Sequence, residues 1–286
     1  MKLYETSLIK TLCLIFDKTE HNWESESFIK ILAEVLVIVF LSSLLLIGLK
    51  YAGYVTWGII PSNPFKSIEL AFTLLLFFEV ISLVFSLVKS VSKSMEIQLQ
   101  ILSLILLRDA FKLFGEFPEN FSWHLIQTKV LYMFVDAFGA LLIFGTIILI
   151  RKHDKHHSIC KTIDKQKSFV NTKKIIALLL LVVFIVMIGV DLTYFFMQKH
   201  TFNFFHFFFT FLIFNDILLV LISMKYSDSY RILFRNSGYA LATITMRLAL
   251  ELLRPYSVIV GVMAAVFVLS LVFTYNRIPL PYGEKK

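Results

Sequence analysis

Three stretches of this chain are long, apolar and nearly free of charge: ILAEVLVIVFLSSLLLIGL (31–49), IIALLLLVVFIVMIGV (175–190) and VIVGVMAAVFVLSLVF (258–273). Each approaches the roughly 20 residues that an α-helix needs to cross a bilayer. In hydrocarbon the backbone has to satisfy its own hydrogen bonds, so apolar runs of this length are read as helices. Composition agrees. The chain is 58% hydrophobic and 17% charged, with 30 Phe and 11 Tyr, whereas a soluble domain is about half apolar and about a quarter charged. The expected class is an all-α, polytopic membrane protein.

Eight spans are expected, at about 28–50, 66–89, 97–115, 125–150, 173–197, 203–225, 236–253 and 257–276. The third and seventh carry charge and are the least apolar. The basic residues orient them. With a cytoplasmic N-terminus, the inside segments hold Lys2, Lys10, Lys18 and Lys30, then Lys89 and Lys93. Arg151, Lys152, Lys155, Lys161, Lys165, Lys167, Lys173 and Lys174 follow, then Lys225, Arg231 and Arg235, and finally Arg277, Lys285 and Lys286. These are 20 of the 28 Lys and Arg residues. An odd number of spans would spoil this partition, so both termini are expected inside. The net charge of +8 thus follows topology, and no nucleic-acid partner is expected.

The segments divide as an N-terminal cytoplasmic or interfacial piece (1–27), a first four-helix membrane unit (28–150), a basic cytoplasmic linker (151–172), a second unit (173–276) and a cytoplasmic tail (277–286). No cleavable signal peptide is visible; the first span is expected to direct insertion itself. Residues 3–16 are expected to form a short helix in the headgroup region, with Leu3, Leu8, Leu12, Ile15 and Phe16 on one face. The linker is expected to lie against anionic lipid. Cys13 and Cys160 are too few for a disulfide framework and fall in segments expected to be cytoplasmic, where thiols stay reduced.

The two units look alike, as a parallel repeat. FTLLLFFEVISLVFSLVK (72–89) resembles FTFLIFNDILLVLISMK (209–225), which sets Glu79 against Asp216; Arg108 in LILLRDAF matches Arg247 in TITMRLAL. Glu79 and Arg108 are nearly equidistant from the tip of their hairpin, as are Asp216 and Arg247. At 1.5 Å per residue both pairs lie roughly 15–20 Å from the cytoplasmic helix ends. A lone charge at that depth is expensive, so Glu79–Arg108 and Asp216–Arg247 are expected to pair within the membrane.

The hairpin FFEVISLVFSLVKSVSKSMEIQLQILSLILLRDAFK resembles the phosphate-starvation-inducible membrane proteins of the PsiE type, small bacterial four-span proteins. The match covers roughly 45 residues of the first unit and, more weakly, a similar stretch of the second. It implies Glu79 and Arg108, and by repetition Asp216 and Arg247, as the family's characteristic polar positions. It implies little about function; the Phe-, Ile- and Lys-rich usage suggests a bacterial inner membrane. The tandem arrangement departs from the family's single unit. A homo-oligomer is expected, with half as many chains as one assembled from single units.

Further polar residues in or near the spans are Asp109, Lys112, Asp136 and Glu251. Asp109 and Lys112 are spaced to pair, as are Arg247 and Glu251. Asp136 is a candidate third partner for Arg108 or Lys112, or a lone proton-binding acid. His153, His156, His157 and Cys160 sit in a heavily basic string, which opposes cation binding, so no metal or cofactor is expected. Arginines do not recur at every third position of a span, which excludes a voltage sensor. No P-loop, nucleophile elbow or zinc-binding helix occurs, so no enzyme is expected. Two functions remain open. One is an ion or small-solute channel or transporter, with the acid–arginine pairs as pathway elements. The other is a non-transporting stress-response or signalling protein, or a subunit of a larger membrane complex, with the N-terminal segment and linker meeting a protein partner.

Overall fold

The computed structural model describes residues 2–54, 60–61, 63–117, 122–153, 163–197, 204–226 and 230–277. Among the described residues there are nine α-helices and no strand: α1 (Lys2–Trp23), α2 (Glu26–Tyr51), α3 (Lys66–Ser86), α4 (Val91–Lys112), α5 (Trp123–His153), α6 (Ile163–Phe196), α7 (Phe204–Tyr226), α8 (Tyr230–Glu251) and α9 (Tyr256–Arg277). A short 3-10 turn, Leu113–Glu116, follows α4. Local sequence punctuates these helices. Ser25 Oγ accepts from the Phe28 amide at the start of α2, and Ser90 Oγ accepts from the Lys93 amide at the start of α4. Both are favoured N-cap residues because the hydroxyl satisfies an amide the helix leaves unpaired.

Six helices are long and apolar enough to cross a membrane: α2, α3, α5, α6, α7 and α9. The protein is therefore multi-pass, but the expected count of eight spans is not met by apolarity alone. The exceptions are α4 and α8, which replace the spans expected at 97–115 and 236–253. Their low hydropathy has a physical reason. α4 packs against α3, α5, α8 and α9, and α8 against α4, α7 and α9, so much of their surface touches protein and needs no lipid-compatible side chains. α2 is the opposite case. Only Ile47 on it is buried, while Ile31, Val35, Ile38, Leu41 and Leu45 stand exposed, as a helix turned toward hydrocarbon would have them.

α4 runs the length of the bundle, antiparallel to both neighbours. Near its end, Asn63 Nδ2 ahead of α3 donates to Phe117 O at 2.9 Å. Near its start, Arg151 Nε at the end of α5 donates to Glu96 Oε1 at 2.6 Å. α8 is likewise antiparallel to α7, whose early residue His206 meets the late residue Glu251. The order of packing neighbours is the same in both halves: α2–α3–α4–α5 and α6–α7–α8–α9, with the last pair the most extensive in each. The halves meet chiefly through α5–α9 and α4–α8, with smaller contacts of α3 with α6 and of α4 with α9. The α5–α9 seam is close. A Cβ on Gly139 would come 2.1 Å from Val258 Cγ1, and Ala140, Ala264 and Ala265 are buried nearby. Small residues at such a contact let helix backbones approach.

Two apolar clusters fill the bundle. One is phenylalanine-rich and gathers Phe16, Phe85, Phe184, Phe204 and Phe208 with Val80 and Leu212; the other packs Leu99, Leu102, Ile143, Ile147 and Val268 between α4, α5, α8 and α9. The N-terminal helix differs from expectation. It extends to Trp23, and its buried seam is Leu12, Cys13, Phe16, Glu20 and Trp23 rather than a face including Ile15, which is exposed. The side chains of Leu3 and Leu8 lie outside the described residues. Phe16 rests on Phe85, Trp23 Nε1 donates to Ser82 Oγ at 3.0 Å, and Asp17 pairs with Lys174. Burial raises the pKa of the Cys13 thiol and of the Glu20 carboxyl. Part of the expected linker is helical: α6 begins at Ile163, ten residues earlier than read. Residues 154–162 lie outside the described residues, so the linker histidines His156 and His157 and Cys160 do too.

Candidate functional site

The structure brings Glu79 and Arg108 together, and Asp216 and Arg247. In the second pair Arg247 Nε donates to Asp216 Oδ2 at 2.8 Å, with both side chains buried; Arg247 Nη2 is buried without a hydrogen-bond partner. The first pair is looser. Arg108 Nη1 reaches Glu79 Oε2 at 3.5 Å, while its Nη2 and Nε donate to Asp109 Oδ1 at 2.9 and 3.3 Å.

Asp109 does not pair with Lys112, as the three-residue spacing suggested. It shares Arg108 with Glu79 and is also held by Arg254, whose Nη2 donates to Asp109 O at 3.0 Å and lies 3.8 Å from Asp109 Oδ2. Lys112, half-buried at the end of α4, makes no ion pair among the described residues. Asp136 meets neither Arg108 nor Lys112. Fully buried, it has Arg254 Nε at 2.7 Å from Oδ2. Neither carboxylate oxygen accepts a directed hydrogen bond among the described residues, and the contact is an ion pair. Arg254 therefore ties α4 to α5 from the short connection after α8. Sequence reading passed over it because it looked like a loop residue outside the spans. The signal available was an arginine beside a proline just past the end of a span, together with Asp136, a mid-span acid with no firm partner.

Glu251 does not pair with Arg247, which is committed to Asp216. Its Oε2 instead lies 3.1 Å from His206 Nδ1 on α7, an ion pair when His206 is protonated. At the other end, Arg235 stacks over the Tyr275 ring at 4.7 Å. Among the described residues no group of three His, Cys, Asp or Glu is placed to hold a metal; His153 packs against Phe273.

Four of these residues, Asp216, Arg247, Asp109 and Arg254, border a line of cavities. At the linker end, a cavity of about 70 Å³ is walled by Ser94, Met95 and Gln98 of α4, Phe169 and Lys173 of α6, Asp216 and Ser223 of α7, and Asn236, Tyr239 and Thr243 of α8. Next along the same two helices is a void of about 10 Å³ between Gln98, Leu102 and Ile105 and Arg247 and Leu250. At the far end a cavity of about 590 Å³ is lined by Leu106, Asp109 and Leu113, by Lys129 and Tyr132, and by Leu250 and Arg254. The lining residues advance in register along α4, from Ser94 to Leu113, and along α8, from Asn236 toward Leu253. Gln98 borders the first two spaces and Leu250 the last two. At 1.5 Å per residue the α4 wall is about 28 Å long, close to the roughly 30 Å of a hydrocarbon core. Glu79, Arg108 and Asp136 line none of these three spaces.

Among the described residues, four of the seven buried side-chain polar atoms without a hydrogen-bond partner are on α8; the others are the two Asp136 oxygens and Asn215 Nδ2. Asn236 Oδ1, Arg247 Nη2, Arg235 Nε and Glu251 Oε1 are all on α8 and all buried. Buried polar groups are usually paired, and two of these four residues, Asn236 and Arg247, border the cavities, which suits water or a polar solute there. The chain matches no protein-family model, no curated protein and no solved structure.

Proposed function

We propose that this multi-pass membrane protein moves a small ion or solute along the α4–α8 seam. The observation that carries the reading is the line of three spaces between the two least apolar helices, with the Asp216–Arg247 pair between the first and the second. On this reading α4 and α8 are the two inner crossings of an eight-helix, tandemly repeated bundle, and both termini are cytoplasmic. They carry polar stripes because they face a path and each other rather than lipid. The PsiE-type resemblance fits a bacterial inner membrane but supplies no solute.

In the conformation described the path is shut. The middle void is at the lower limit for one water, which needs about 10–15 Å³. Leu102, Ile105 and Leu250 surround it. Opening requires those apolar side chains to part and Arg247 to exchange some of its contact with Asp216 for the passing solute. Arg254 holds the far-end cavity in shape by bridging Asp109 and Asp136.

Reconstitution into liposomes tests this. Wild type is expected to show ion flux that Leu250→Ala increases several-fold by widening the void, while the charge-neutral pair Asp216→Asn with Arg247→Gln alters ion selectivity. Absence of flux for anions and cations alike, in wild type and in Leu250→Ala, would overturn the proposal. It would leave the pairs as locks of helix register in a signalling or scaffold protein, with α1 and the linker as the surfaces for a partner.

A further inference from the structure

Among the described residues, Lys173 is a charged side chain with no charged partner. It is only 6% exposed, enters the linker-end cavity from α6, and has two neighbours. Its Nζ donates to Lys89 O at 3.1 Å, and it sits over the Phe169 ring at 5.2 Å from the centroid. Neither is an anion. The Lys89 carbonyl, in the turn after α3, supplies only a fraction of a charge, and a ring face supplies a quadrupole. Buried ammonium groups are ordinarily paired with acids because desolvating an unpaired one is costly.

The other charges facing the cavity do not change this. Asp216 is the acid on its wall, and Arg247 occupies it at 2.8 Å. Lys173, Asp216 and Arg247 together therefore leave one positive charge. The neutral lining supplies donors. Gln98 Nε2 donates to Ser94 Oγ at 3.1 Å, which leaves the Ser94 hydroxyl hydrogen and the second Gln98 amide hydrogen free to turn inward. Asn236, 5% exposed with an unpartnered Oδ1, adds an amide that can present either end. The volume, about 70 Å³, is enough for a few waters at about 10–15 Å³ each, or for one small ion with part of its shell.

From this geometry we infer that the linker-end cavity is a binding site for a small monovalent anion, of halide, nitrate or formate size, held by Lys173 with Ser94, Gln98 and Asn236. The inference rests on the pathway reading for its role, as the solute's first station, but the site stands or falls by binding alone. A cation is disfavoured because it would add to the unbalanced charge, and a large polyanion because the space is too small.

The test is thermal unfolding of the purified full chain in detergent at fixed ionic strength, replacing gluconate stepwise by chloride, nitrate or formate. The wild-type midpoint is expected to rise saturably with the small anion and to ignore exchange of sodium for choline. Lys173→Met should abolish the anion response. Lys174→Met, next in sequence but paired with Asp17, should keep it. If Lys173→Met does not fold, Asn236→Leu, which fills the cavity, is expected to weaken apparent anion affinity at least tenfold. A wild type indifferent to the anion, a response that follows the cation, or full response in Lys173→Met or Asn236→Leu overturns the site. Saturable anion binding without flux in liposomes would leave the site and remove the pathway. Flux without saturable anion binding would do the reverse.

Discussion

The two acid–arginine pairs stand at matching positions of the two halves and solve the same problem differently. Asp216–Arg247 is a closed two-member pair, 2.8 Å across and nearly inaccessible. Glu79–Arg108 is stretched to 3.5 Å because Asp109 draws the guanidinium toward itself, and Arg254 then connects Asp109 to Asp136. Where the first half has Asp109 the second has Leu248, half exposed on the outer surface of α8. The extra acid therefore has a physical role: it recruits an arginine from the other half. The lesson is that an acid–arginine pair can be a simple lock between one pair of helices and a node of a network between another. A node spreads the burden of losing a member.

That difference sets the order of expected effects. Arg247→Met leaves Asp216 buried with no counter-charge, and removal of one partner of a buried pair is expected to cost about 3–5 kcal/mol. Arg108→Met should cost distinctly less: each variant strands one buried acid, but Glu79 stands 3.5 Å from its arginine against 2.8 Å for Asp216, and Asp109 retains Arg254. Unfolding of both variants in detergent measures this. Equal losses would show that the network does not spread the burden and would remove the contrast.

Arg254→Ala probes the network from its other end. Asp136 is fully buried and loses its one ion-pair partner, while Asp109 keeps Arg108. The expected loss is about 2–3 kcal/mol, the penalty for a buried polar group left unsatisfied, moderated by the large far-end cavity through which water can reach the site. Asp136→Asn in the same background should recover most of that loss, since an amide carries no charge to strand. No recovery would mean that Arg254 acts on the far-end connection rather than through Asp136. Asp109→Leu makes the first half resemble the second, and should cost about 1 kcal/mol.

Much of this arrangement was legible in the sequence, and the remainder was hidden for identifiable reasons. Apolar runs mark six spans because lipid-facing surface has to be apolar. α4 and α8 gave weak signals because they face protein, and hydropathy cannot separate a helix shielded by neighbours from one that never enters the membrane. Glu79–Arg108 and Asp216–Arg247 could be anticipated because hairpin geometry fixes depth from the turn. Asp109–Lys112 and Arg247–Glu251 were wrong because spacing along one helix says nothing of stronger partners on another. Asp136–Arg254 and His206–Glu251 were missed because they join elements whose neighbourhood only the packed bundle defines. Lys173 looked like one more basic residue beside the linker, since an unbalanced charge becomes visible only once the walls around it are known.

The smallest expected effect concerns the clamp between the last two helices of each half, at the linker end. In the first half it is ionic: Arg151 Nη2 lies 2.5 Å from Glu96 Oε1, and Lys93 Nζ lies 3.1 Å from Glu96 Oε2. In the second, Arg235 stacks on Tyr275. Burial pushes the Glu96 carboxyl upward, but the hydrogen bonds and charges of Lys93 and Arg151 outweigh it and hold the pKa below the ordinary value. A lowered carboxylate contributes stability above its unfolded value, about 4.3, and loses it as pH falls through the lower folded value. Arg151 is largely solvated, so the contribution should be about 0.2–1 kcal/mol, as for exposed ion pairs. Comparing wild type with Glu96→Gln from pH 7 to 3.5 should show a small wild-type advantage that disappears in acid. The effect of Tyr275→Leu should stay flat over the same range, because the Arg235–Tyr275 contact is a cation–π stack with no carboxylate in it. A Glu96→Gln difference that persists undiminished at pH 3.5 would show that the first clamp holds by packing, as the second does, and that at this end the two halves are alike.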